Sequence, residues 1–173
     1  AGYQLLSRET FLLLNSVLLI VAAAAVLLGT AYPLVIEALG GKISVGAPYF
    51  NAVFVPLMVP VFAALGIGML SRWRSDDGTR LWSRLRSGLI ASIVLALLTA
   101  LTLDEARGLK MGLAVLLALW IVTGTVAALR ARLPDPLSRA ALRSALSRSF
   151  IGMSLAHVGL AVTIIGVAAA SNF

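Results

Sequence analysis

The chain has 173 residues, 60% of them hydrophobic and only 12% charged, with a mean hydropathy of +1.00, which points to an integral membrane protein rather than a soluble domain. A net charge of +7 would suit a nucleic-acid binder, but the positive charges sit in short connections between apolar runs, which is a topology signal and argues against nucleic acid as a partner. Cysteine is absent, which excludes disulfides, thiolate metal sites and a thiol nucleophile.

In chain order, the opening AGYQLLSRE carries neither methionine nor a signal-peptide pattern, and the sequence stops at SNF; both predict a piece of something larger. A spanning helix needs about 20 apolar residues. The first predicted span covers about 11–36, with Pro33 bending its far end. The compact segment GGKISVGAPYFN (40–51) follows, rich in turn formers and without a complete phosphate-binding fingerprint. The second span covers about 50–70, kinked by Pro56 and Pro60.

Residues 72–86, RWRSDDGTRLWSRLR, set Trp73 and Trp82 among arginines, as interfacial anchors are. A short third span covers about 87–103 and a fourth about 111–129. In LPDPLSRAALRSALSRS two prolines end the fourth span, and Ser138 is placed to cap a short basic helix bearing Arg139 and Arg143 on the membrane surface. The fifth span covers about 149–170. Period-two alternation is missing, which disfavours a transmembrane barrel.

The predicted architecture is therefore an all-α bundle of five transmembrane helices in one domain, residues 1–173. Eleven of the 14 basic residues fall on the side of the N-terminus. Only Lys42, Arg107 and Lys110 fall on the other. The positive-inside rule then puts the N-terminus in the cytoplasm and the C-terminus on the periplasmic face.

Four polar residues stand out in or near the spans. Glu37 and Asn51 lie close to the outer ends, where water reaches them. Asn15 is one turn into the first span and is expected to bond to another helix. His157, the chain's only histidine, lies about 12 Å from the predicted membrane edge, too deep to snorkel. Desolvation favours its neutral form, which can ligate a metal. No carboxylate pair and no Ser–His–Asp set can be assembled, so ordinary hydrolytic chemistry is not encoded.

Read by faces, the fifth span carries a stripe of small residues, Gly152, Ala156, Gly159, Thr163, Gly166 and Ala170, suited to close backbone contact with a neighbouring helix. His157 lies about 140° round from it, beside Phe150, Met153, Ser154, Ala161 and Ile164. The residues leave three readings open: an imidazole bonded to a neighbouring carbonyl or hydroxyl, a proton or quinone relay, and a heme-iron ligand.

Three blocks of wording go further. SRETFLLLNSVLLIVAAAAVLLGTAYPL, GKISVGAPYFNAVFVPLMVP and GMSLAHVGLAVTIIGVAAASNF resemble the membrane region of the cytochrome c maturation protein F family of bacterial heme lyases. The resemblance runs along essentially the whole chain and is weakest across 72–148.

It implies an inner-membrane protein that attaches heme vinyl groups to the CxxCH thiols of apocytochrome c. The partners implied are a heme chaperone, a thioredoxin-like or TPR accessory maturation subunit and apocytochrome c, with membrane lipid around it and quinol as a candidate electron source. The family's late AHxG motif matches Ala156, His157 and Gly159, which implies His157 as an axial ligand of a membrane heme b that keeps the transferred iron reduced. Met153 and Ser154, one turn earlier, become candidate pocket wall, though packing explains them equally well.

The family's tryptophan-rich periplasmic motif and its further histidines are absent from this chain, so the second axial histidine must come from outside it. Two rivals remain: a paralogous heme lyase dedicated to nitrite reductase, and a cofactor-free transporter bundle gated at Pro56 and Pro60 with His157 as a relay. Against the second, no inverted repeat is visible.

Overall fold

The computed structural model describes residues 5–72, 76–133 and 146–172. Trp73 and the predicted basic helix with Ser138, Arg139 and Arg143 lie outside the described residues. Among the described residues there are five helices: α1 (Arg8–Ala38), α2 (Ala47–Gly68), α3 (Gly78–Leu101), α4 (Glu105–Arg130) and α5 (Arg148–Asn172). Each is long and apolar enough to cross a membrane. No strand occurs among the described residues. The chain is thus an all-α, multi-pass membrane protein.

The helix ends follow local chemistry. Ser7 caps α1, its hydroxyl accepting from the Thr10 N–H at 3.3 Å. Gly40, at φ 83°, ends α1: its N–H reaches Glu37 O and the Gly41 N–H reaches Ile36 O, which satisfies two carbonyls left open by the last turn. Pro48 sits in the first turn of α2, where its missing N–H costs nothing. Asp77 caps α3 by accepting from the Thr79 N–H at 2.9 Å. Helices α1 and α2 continue through Pro33, Pro56 and Pro60.

The third span differs from its expected 87–103. It starts at Gly78 and runs 24 residues, because Leu81 and Leu85 are buried among α4 and α5 side chains and carry the helix beyond the apolar run. Trp82, exposed at that end, suits an interfacial position.

Helix α4 is the hub, packed against α3, α5 and α2, while α1 packs on α2. Half of its most apolar stretch is buried, against 6% for α1. The α3–α4 pair is close along its whole length because small residues meet at three places. A Cβ on Gly88 would lie 2.8 Å from Thr123, one on Gly112 would lie 3.0 Å from Ala96 O, and one on Gly108 would strike Ala100 O. Gly108 and Gly112 form a GxxxG pair that the sequence reading left partly outside the fourth span.

Among the described residues, Arg8, Arg72 and Arg132 meet neighbouring elements at one end of the bundle. The Arg8 N–H donates to Arg72 O at 2.9 Å and the Asp76 N–H to Leu6 O at 2.7 Å, tying the start of α1 to the α2–α3 connection. Arg132, just past α4, lies over the ring of Phe150 at the start of α5, 4.2 Å from its centroid. At the same end, Leu70, Leu81, Leu85, Trp120, Ala128 and Phe150 form the larger apolar cluster.

Candidate functional site

His157 sits on α5, two to three turns in from the arginine-rich end. Its Nδ1 lies 2.7 Å from Met153 O. A carbonyl oxygen only accepts, so the proton of a neutral ring is held on Nδ1 and donated to the preceding turn. The lone pair is thereby left on Nε2, the arrangement in which histidine binds a metal.

The imidazole, half-buried, faces a groove of about 210 Å³ between α1, α2 and α5. The groove exists because α1 packs on α2 and α5 packs on α4, while α1 and α5 are not closely packed on one another. Phe11, Leu12, Leu65 and Met69 give it apolar walls, and Met153 lines it beside His157. Arg8 stands at its arginine-rich end. Ser154 is not among the lining residues; its hydroxyl donates to Phe150 O at 2.9 Å and is turned back on its own helix.

Asn15 also lines the groove. The sequence reading expected it to bond to another helix, but its Oδ1 is buried and has no hydrogen-bond partner. Helices α1 and α5 are not closely packed on one another, and no donor from α5 bonds this oxygen. A buried amide oxygen without a donor costs about 1–3 kcal/mol, a cost that a polar group entering the groove would offset. Glu37 and Asn51 are exposed near the opposite end, as expected.

The two faces of α5 are used the other way round from the expectation. Phe150 and Ala161, on the His157 face, are 4% and 3% exposed, so this is the face that docks on the bundle. The small-residue stripe is outward, and a Cβ on Gly152, Gly159 or Gly166 would meet nothing within 4 Å. The reason is volume: α4 offers side chains that interlock with Phe150 and Met153, whereas the stripe fits only another backbone brought very close. Among the described residues no group of three or more His, Cys, Asp or Glu side chains is arranged to hold a metal ion. A metal at His157 would therefore need its other ligands from a macrocycle or from outside the described residues.

The chain is 43% identical to the cytochrome c-type biogenesis protein CcmF of Pseudomonas aeruginosa over 175 residues, which cover 99% of this chain and 26% of that protein. It is 40% identical to CcmF of Escherichia coli over 168 residues, 96% of this chain and 25% of that protein. The chain thus matches a segment of CcmF proteins along nearly its whole length. It spans about a quarter of the length of the curated CcmF relatives it matches. A further relative, the cytochrome c-type biogenesis protein NrfE of Haemophilus influenzae, is 37% identical over 97 residues, 54% of this chain. No family model and no solved structure matches.

Proposed function

We propose that this chain works in cytochrome c maturation as part of a heme lyase, with His157 supplying one axial ligand of a heme b held in the membrane. The observation that carries the reading is the imidazole's own bonding: with Nδ1–H committed to Met153 O, Nε2 faces an apolar groove as an available donor. The groove suits the group in chemistry, since a porphyrin prefers apolar walls and its iron takes a neutral imidazole. Its volume, about 210 Å³, is below the roughly 300–1,000 Å³ of complete small-molecule sites. The chain thus provides one edge of the site, and the second histidine comes from the remainder of the same heme lyase.

A bound heme b supplies a one-electron iron centre. The protein's part is positional. The Met153 carbonyl holds the tautomer and the ring orientation, while Phe11, Leu65 and Met69 keep water from the imidazole. In this reading the complete protein sits in the bacterial inner membrane, N-terminus cytoplasmic. It receives heme from a periplasmic chaperone and joins it to apocytochrome c thiols beside a thioredoxin-like or TPR accessory subunit. Quinol is the candidate electron source for keeping the transferred iron ferrous. A paralogous heme lyase serving nitrite reductase is the second reading, supported by the NrfE similarity over 97 residues.

The reduced optical spectrum of the full-length protein tests the ligand. His157→Ala should abolish the low-spin b-type signal, and added imidazole should restore it in part. An unchanged spectrum in a folded, heme-replete variant would sink the assignment.

A further inference from the structure

A second cavity, of about 500 Å³, opens at the arginine-rich end between the start of α3 and the end of α4, away from the His157 groove. Arg84 on α3 and Arg130 on α4 both line it, and Ser87 adds a hydroxyl one turn along from Arg84. Both guanidiniums are exposed, and among the described residues neither takes part in an ion pair. Two unneutralised cations flanking one cavity call for an anion, and guanidinium forks match phosphate oxygens.

The lower part of the cavity decides which kind of anion. Its floor turns apolar at Val126, which is 41% exposed. Along α3, Ser87, Ala91 and Val94 fall at i, i+4 and i+7, so the face that begins at the cavity continues as exposed apolar surface into the membrane span. A soluble phosphate compound would use only the upper half. A phospholipid uses both, its headgroup between the arginines and its acyl chain along α3 and α4. We infer that the Arg84–Arg130 cavity is a binding site for an anionic phospholipid of the surrounding leaflet. The placement matches the general behaviour of basic pockets between membrane helices at the interface.

Native mass spectrometry of the full-length protein in mild detergent tests this. The probes are phosphatidylglycerol, phosphatidylcholine and inorganic phosphate, each added separately. At about a fivefold contribution per cation near a membrane surface, Arg84→Gln with Arg130→Gln should weaken phosphatidylglycerol retention by roughly twenty-five-fold. Phosphatidylcholine retention should not change. Arg84→Lys with Arg130→Lys keeps the charge and should retain most of the binding, which separates site loss from misfolding. Arg107→Gln with Lys110→Gln, at the other end, should have no effect. Equal retention in the double glutamine variant would overturn the site, as would equal loss in the opposite-end variant. Arginine-dependent binding of inorganic phosphate without any preference for phosphatidylglycerol would overturn the lipid and leave a soluble-anion site.

Discussion

Trp120 reaches from α4 into α2, donating its indole N–H to Ala63 O at 2.9 Å, and it can do so only because residue 66 has no side chain. A Cβ there would strike the indole ring, and Gly66 O already lies 2.8 Å from the Cβ position of Gly124. Backbone and ring therefore share a contact with no slack. Gly66→Ala should lower stability by about 1–3 kcal/mol, read as a reduced midpoint of thermal unfolding in detergent. The same measurement on Gly159→Ala should show little change within this bundle, because nothing lies near that position. His157 belongs at this scale too. Its place within the fifth span was legible from the sequence, but its bond to the Met153 carbonyl was not, since an i−4 bond depends on the rotamer.

At the scale of elements, the α2–α3 connection works as a latch on α1. The Asp76 side chain is out of solvent and accepts from Arg80 Nε at 3.0 Å, the Arg72 N–H at 2.7 Å and the Asp77 N–H at 2.8 Å. Burial by itself would raise the carboxyl, but the Arg80 side chain and the two backbone donors outweigh it and hold the group below its ordinary 3.8. The sign follows from linkage. A carboxyl lowered on folding contributes stability that is complete above its unfolded value and is lost as pH falls through the folded one. Acidification below about 3.8 should therefore loosen the latch, seen as faster amide exchange at Arg8, Arg72 and Asp76. Asp76→Asn should remove that pH dependence and cost about 2 kcal/mol at neutral pH. Helix boundaries show a comparable division. The caps at Ser7, Gly40 and Asp77 rest on local chemistry that the sequence expectations did not single out, whereas the early start of α3 rests on tertiary burial of Leu81 and Leu85.

For the whole molecule, the loop charges and the packing agree that one end of the bundle gathers the arginines. Which face of the membrane that end occupies is open to a direct test. Alkaline phosphatase fused after Ile43 or after Leu103 should be active, because the positive-inside rule puts those connections outside the cytoplasm. A fusion after Arg132 should be inactive. The reverse pattern would invert the proposed orientation and move the Arg84–Arg130 cavity to the outer leaflet. The groove at His157 also belongs to this scale, since it is the gap left when α1 and α5 each pack on a different partner.

The sequence by itself determined the solvent, the number of spans, the common sidedness of the arginines and the exceptional residue in the fifth helix. Each of these follows from hydropathy, charge and spacing along one segment, which fix what a helix must do in lipid before it meets another. Only the tertiary structure decided that α5 docks by its histidine face, that GxxxG works in α4 rather than the stripe in α5, and that Asn15 shares the groove with His157. Those choices depend on how the volumes of two facing helices interlock, and a single helix's periodicity marks a face without saying which neighbour will meet it.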